Sequence, residues 1–372
     1  MAVFTLPPEM VVFYKKHIEY ITEHAVDPDK RRYATKYEAP RHYIDIDRWD
    51  VYPFTKVPRD WHDALMKYTE IYVVNPDQDT VQLFGNEVVE AEGEFIRSRS
   101  GAMVEQRAYR NFFYDNVIKK YYDEEWQIPC DSLSALLGYD VPCLTAFSVD
   151  HFSEHGILPY HLLKMQRDLT EAFRQKNSPR ILRLSAEMGH YIADAHVPLH
   201  TTENYNGQLT DQVGIHAFWE SRLPELYADA QYDFFVGKAE YIEKPKDYFW
   251  KIVLDSHALL DSVLMIEKDL SRTFPPDKQY CYEERLGRTI RTQCAEYAAA
   301  YHARMNGMVE QRMRDAILSV ASSWYTAWVD AGQPDLKFLN AKDVAPALDA
   351  EDAEIESAFQ KGNSKGREHG NQ

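Results

Sequence analysis

The chain has 372 residues, 45% of them hydrophobic and 13% aromatic, which is enough to bury a sizeable core and too apolar for a disordered polymer. Its 59 acids outweigh 42 bases, and the net charge of −17 excludes a broad, sequence-independent grip on nucleic acid or on an anionic membrane. A local site for an anionic group stays open, because bound cations bring their own positive charge.

The N-terminal segment MAVFTLPPEM has no basic region followed by an apolar stretch and does not read as a signal peptide. The compartment therefore reads as unknown, and as periplasmic or extracellular if a signal precedes this start. Pro8-Glu9 opens a helix in which Val11, Tyr14, Ile18 and Ile21 recur at helical spacing. The charged loop AVDPDKRRYATKYEAPRHYIDID follows, with Asp27 and His42 fifteen residues apart. Residues 59–74 predict a helix, and Gly101 opens a helical pattern to about residue 125. Another helix is expected over 155–176, with Pro159 in its first turn. Pro179 starts PRILRLSAEMGHYIADAH, Pro198 breaks it, and Gly214 precedes the helical stretch IHAFWESRLPELYADA. Residues 245–272 and 284–330 predict two or three more helices, with Arg288, Arg291, Glu296 and Arg304 on solvated faces.

No internal repeat is visible, and nothing alternates with period two for long enough to predict a sheet. RHYIDID is the one short strand candidate. The expected class is all-α, a multi-helix single domain over 1–345 with a polar, poorly ordered tail at 346–372. No run of about 20 apolar residues predicts a membrane span. Cys130, Cys143, Cys281 and Cys294 include no C-x-x-C pair, so cysteine ligation of zinc is not expected; their even number permits disulfides without implying them.

The chemistry concentrates in GHYIADAHVPLHTTENYNGQLTDQVGIHAFWES. His190 and Asp194 are four apart, as are His216 and Glu220, so each pair shares a helix face within reach of one ion. His196 and His200 lie between the pairs. Imidazole and carboxylate are the donors expected of catalytic zinc, which keeps an open position for water. A single such pair is ordinary on a polar helix face; two of them around a Pro-Leu-His break and an Asn/Gly turn point to metal. The loop after the first helix is the natural complement, through Asp27 and His42. On spacing alone, Asp27 reads equally as a turn residue beside Pro28, and His42 as a surface histidine.

The pattern H-x-x-x-D-x-x-x-P-L-H followed by H-x-x-x-E resembles the zinc-dependent phospholipase C family and the related single-strand-specific zinc nucleases of fungi and plants. Here it stands as His190, Asp194, Pro198-Leu199-His200, His216 and Glu220, and an aspartate followed by a histidine in a His-Tyr-Ile-Asp context fits Asp27 and His42. The resemblance spans residues 1 to about 230. It implies an all-α fold binding three zinc ions: one on Asp27, His42, His190 and Asp194, a second on His200, His216 and Glu220, and a third bridged by Asp194. It gives Asp27 the further role of a base that orients the attacking water. The family completes the third site with an N-terminal tryptophan and a nearby histidine; this chain begins Met1-Ala-Val-Phe, so two zinc sites are expected from it and a third only with upstream residues. His17 reads as a surface residue of its helix.

The resulting expectation is a zinc-dependent hydrolase of phosphodiester bonds, phospholipase C-like, whose substrate is a phospholipid head group or nucleic acid, with no stable protein partner inferred. A nuclease or nucleotidase on the same scaffold is the alternative, and a non-catalytic zinc-binding protein a further one. The turn NYNGQLTDQVG lacks the Gly-Gly-Asn-Asp string of the nuclease branch and favours the phospholipase-like branch. Phe218, Trp219 and Tyr205 could stack bases or flank a choline group, although packing is the expected role of the first two. His196 matches no family ligand and reads as a core or supporting histidine, as do His151, His155 and His161.

Overall fold

A computed structural model describes residues 1–85, 91–92, 94–118, 127–285, 287–337 and 357–362. It is not all-α: 57% of the chain is helical and 11% lies in strands, which build three sheets. The tail expected at 346–372 lies outside the described residues except for 357–362.

The chain divides into two compact units, Met1–Phe54 with Gly156–Gln372, and Thr55–His155. The second unit carries most of the strands. Helix Trp61–Tyr68, capped by Asp60 accepting from the His62 and Asp63 amides, runs directly into strand Thr69–Val74. That strand pairs antiparallel with Thr80–Phe84 on one side and Thr145–Asp150 on the other, and Gln127–Ile128 completes the four-stranded sheet. Residues 59–74 are therefore half helix and half strand. The sequence TEIYVV buries Thr69, Ile71 and Val73 and half-buries the residues between, a period of two that emerges only when the segment is cut at Thr69. The helical pattern after Gly101 likewise starts later than expected. Strand Met103–Glu105 precedes helix Gln106–Asn116, and residues 119–126 lie outside the described ones. Leu65, Ile71, Phe84, Tyr109, Phe113, Leu133 and Ala146 form the core of this unit, and Cys130–Cys143 is a disulfide within it.

The first unit is the helical one. Helix Leu158–Arg174 packs along Ser178–Ala195, and both pack against the long helix Met308–Asp330. Their contact is ordered by aromatic residues with polar ends. Tyr14 stacks on Trp324 at 4.8 Å, the Tyr14 hydroxyl is 2.9 Å from Ser185 Oγ, and Trp324 Nε1–H donates to the Ser185 carbonyl. A second cluster gathers Leu199, Ile215, Phe218, Trp219, Tyr297 and Tyr301, so Phe218 and Trp219 are packing residues. The segment 284–330 is not all helix. Tyr280–Arg285 and Arg288–Gln293 form a hairpin closed by the Cys281–Cys294 disulfide, and Arg291 lies over the Tyr280 ring. Among the described residues no helix is long and apolar enough to cross a membrane.

The strand candidate RHYIDID instead forms two single 3-10 turns, Ala39–Arg41 and Ile46–Arg48, with His42 between them. Its backbone is held from two sides: Ile44 N–H donates to the His200 carbonyl, and Leu158 N–H to the Tyr43 carbonyl. Gly156 makes the second contact possible. Its φ is +98°, and a Cβ there would lie 2.1 Å from the Tyr43 carbonyl oxygen. Gly156→Ala is expected to cost the left-handed backbone penalty of about 1–2 kcal/mol plus that clash. Gly307→Ala, at φ +78° facing open space, is expected to cost the backbone term alone. Equal denaturation midpoints for the two variants would show that the close approach carries no energy.

Candidate metal centre

Helix Ser178–Ala195 begins with Asn177 accepting from the Arg180 amide and with Pro179 in its first turn. It ends at His196, ahead of the 3-10 turn Pro198–Thr201 that carries His200. The second pair sits on an unusual helix. Gly214 caps Ile215–Ala217, which runs into a π-helical turn, Phe218–Arg222, and then into Leu223–Gln231. Leu223 N–H reaches back five residues to the Phe218 carbonyl. Pro224 explains the widening, since it has no N–H to offer the Glu220 carbonyl. Arg222 anchors the turn by donating to the Gln293 carbonyl and bidentately to Glu283 of the hairpin.

Among the described residues two candidate metal-binding groups stand together, Asp29 with His42 and His190, and His200 with His216 and Glu220. In the first, His42 Nδ1 lies 2.9 Å from Asp194 Oδ2 and 3.2 Å from His190 Nε2. His190 Nε2 lies 3.5 Å from the same Asp194 oxygen and 3.8 Å from Asp29 Oδ2, and His42 Nδ1 lies 4.0 Å from Asp29 Oδ1. In the second, Glu220 Oε2 is 2.7 Å from His216 Nε2 and 3.3 Å from His200 Nε2. Donors at 2.0–2.1 Å from a tetrahedral zinc stand about 3.3 Å apart. The observed separations scatter around that value, so both donor sets fit zinc in kind and in spacing.

The hydrogen bonds around the rings prepare them as ligands. His200 Nδ1–H donates to the His42 carbonyl at 2.6 Å, and His216 Nδ1–H to the Tyr205 carbonyl at 3.1 Å. A carbonyl can only accept, so in each neutral ring Nε2 is left as a lone pair facing Glu220. Lone pairs and carboxylate oxygens this close require positive charge between them, a proton or a cation. The electrostatics agree. Burial disfavours charge on His42, but hydrogen bonding and charge from Asp194 and Glu38 outweigh it and lift the pKa to about 9. Burial likewise opposes His200, and Asp194 followed by Glu220 raises it. Burial opposes the Asp194 charge too, yet His190, His200 and His42 hold its carboxyl below the usual range. Asp194 thus acts on both groups. It is 5% exposed, whereas the side chains of Asp29 and Glu220 are 48% and 35% exposed and leave each group open on one side.

The structure brings together six of the seven residues singled out by sequence as metal ligands: His42, His190, Asp194, His200, His216 and Glu220. It sets the seventh apart. Asp27 Oδ2 lies against His24 Nδ1 and its Oδ1 is 3.3 Å from Lys30 Nζ. Asp29 takes the expected place, because helix Asp27–Arg31 turns residues two apart to nearly opposite faces. The base role expected of Asp27 loses its geometric footing with it. His196 is a core residue: Nδ1–H donates to the Ile192 carbonyl, Nε2 is 3.3 Å from Ser319 Oγ, and burial beside Arg312 lowers its pKa to about 3. His151 pairs with Glu70, His155 lies beside Glu154, and His161 is half-buried with its ring against Tyr191 and its pKa held well down by desolvation. His17 is buried rather than on the surface. Glu38, which the sequence reading passed over, is completely buried beside His42 and four residues before it.

A comparison with protein-family models gives no match for this chain, and a comparison with curated protein sequences gives none either.

Asp29→Asn is expected to weaken one bound zinc ion by about 10-fold or more, while Asp27→Asn leaves both in place. Zinc content after dialysis at graded free zinc measures this. Loss of an ion from Asp27→Asn but not from Asp29→Asn would restore the spacing-based assignment.

Proposed function

We propose that the chain is a zinc-dependent phosphodiesterase of phospholipase C type. One observation carries the reading: buried Asp194 touches His42 and His190 of one donor group and interacts by charge with His200 of the other, and each group has a carboxylate partly open to solvent. Paired cation sites beside one buried carboxylate suit the displacement at phosphorus, where both the attacking and the leaving oxygen need charge beside them. Zinc bound there supplies that charge, polarising phosphoryl oxygens and acidifying water.

The chain's own residues have distinct tasks. Asp29, His42, His190 and Asp194 would hold one ion, and His200, His216 and Glu220 the other. The backbone carbonyls of His42 and Tyr205 fix the His200 and His216 rings. The exposed Asp29 carboxylate is the group best positioned to take a proton from water entering the open side, the role that the sequence resemblance gave to Asp27. The net charge of −17 favours a small phosphodiester or lipid head group over a long polyanion. A single-strand nuclease on the same scaffold is the alternative. The disulfides Cys130–Cys143 and Cys281–Cys294 support an oxidising compartment, periplasmic or extracellular.

The test is hydrolysis of bis-p-nitrophenyl phosphate, phosphatidylcholine and single-stranded DNA by the zinc-loaded chain. Turnover of the first two, abolished by chelation and restored by zinc, is the expected result. Turnover of DNA alone favours the nuclease, and zinc binding without turnover of any substrate overturns the enzyme reading. Glu220→Ala is expected to lose one zinc ion and about two orders of magnitude in turnover, corresponding to ~3 kcal/mol of lost charge stabilisation. Unchanged zinc content and rate in the purified variant would refute its assignment.

A further inference from the structure

His42 differs from the other ring ligands in what stands behind it. His200 and His216 are backed by neutral backbone carbonyls. Behind His42 stands a carboxylate: Glu38 Oε1 lies 3.7 Å from Nε2, on the far side of the ring from Nδ1, which faces Asp194, His190 and Asp29. Glu38 is 0% exposed. Its own position is fixed by three donors: Arg41 at 2.7 Å, Arg31 at 3.4 Å and the Tyr191 hydroxyl. Arg31 is held in turn by Glu187, which Arg183 also contacts at 3.0 Å.

Burying a carboxylate with two arginines is costly, and an apolar replacement of similar volume is often no less stable. The network therefore calls for an account beyond stability. A carboxylate behind a ligating imidazole fixes its tautomer with the proton on the rear nitrogen, orients the ring and raises its basicity toward a cation. We infer that Glu38 is a positioning residue for the first metal group: it holds the Nδ1 lone pair of His42 toward Asp29, His190 and Asp194 and strengthens cation binding there, while the arginines and Tyr191 keep its charge in place. Local sequence supports the geometry. Glu38 and His42 flank the single 3-10 turn Ala39–Arg41, so their relative placement is set by four residues of chain. This inference rests on the metal reading above and goes beyond it by separating the two groups in affinity.

The experiment titrates the full-length, metal-free chain with zinc against a chromophoric competitor, and with cobalt to follow ligand-field absorption. His216→Ala disables the second group, so the remaining equivalent reports on the first. In that background Glu38→Gln, which keeps shape but removes charge, is expected to weaken the remaining equivalent 10- to 100-fold and to alter its cobalt spectrum. In the background of His190→Ala, which disables the first group instead, Glu38→Gln is expected to leave the other equivalent unchanged. A purely structural Glu38 would weaken both equivalents together or neither, and either result overturns the inference. If Glu38→Gln does not fold, Glu38→Asp keeps the charge near the arginines but draws it back from His42. It is then expected to weaken the first group alone, and unchanged affinity overturns the inference. Wild-type protein that binds no zinc overturns the metal reading itself; two tight equivalents in wild type, both indifferent to Glu38, overturn only this one.

Discussion

A carboxylate that is almost wholly buried must be compensated, and in this molecule Asp194 is the charge on which the surrounding architecture depends. Its compensation comes from the rings of His42, His190 and His200, which arrive from a loop, a helix and a 3-10 turn. His42 and His200 gain basicity from the arrangement, so the cluster draws positive charge toward its carboxylates. A proton can satisfy part of that demand. Divalent cations satisfy more of it, because they engage several donors at once.

The backbone enforces this convergence more than the side chains do. Ile44 N–H donates to the His200 carbonyl, and the His200 ring donates to the His42 carbonyl, so the loop carrying one ligand and the turn carrying another are tied in both directions. Gly156 lets a third segment close against the same loop at Tyr43. Asp47 accepts from the Thr202 hydroxyl and the Glu203 amide, and Arg48 donates to Glu203, extending the seam past the ligands. Displacing any of these strands of chain moves a histidine, which is why a site with few regular elements around it can still be geometrically defined.

Legibility in the sequence followed the range of the determining interaction. His190 with Asp194 and His216 with Glu220 were readable because a helix fixes their relation over four residues, and even the π-helical turn keeps the second pair in contact. Proline and glycine marked the breaks that bring the two pairs together. The geometry favours Asp29 over Asp27 for a local reason too fine for spacing to register: DPDKR offers two aspartates on opposite sides of one turn, and only packing decides which faces the histidines. Glu38 carried a signal in retrospect, since it precedes His42 by four residues between Arg31 and Arg41, yet a charged loop gives no hint that such a carboxylate is buried. The strands were hidden differently. Two to six residues long, they adjoin helices or outlying loops, and their pairing partners lie far along the chain, as Thr69 does from Asp150.

The two candidate metal groups are built on unequal foundations. The second rests on a helix widened by Pro224, and Arg222 clamps that helix to a hairpin closed by a disulfide. Its histidines are oriented by uncharged carbonyls, so its geometry depends on covalent and backbone restraints that change little with surrounding charge. The first rests on a short helix, a 3-10 turn and an exposed aspartate, and the ring at its centre is steadied by a buried carboxylate whose charge two arginines sustain. Its geometry depends on electrostatic balance. Asp194 touches His42 and His190 of the first group and interacts by charge with His200 of the second, so positive charge held at either group changes what the other experiences. The site is therefore one electrostatic unit with a rigid half and a tunable half, and its tunable half lies beside Asp29, on the side open to water.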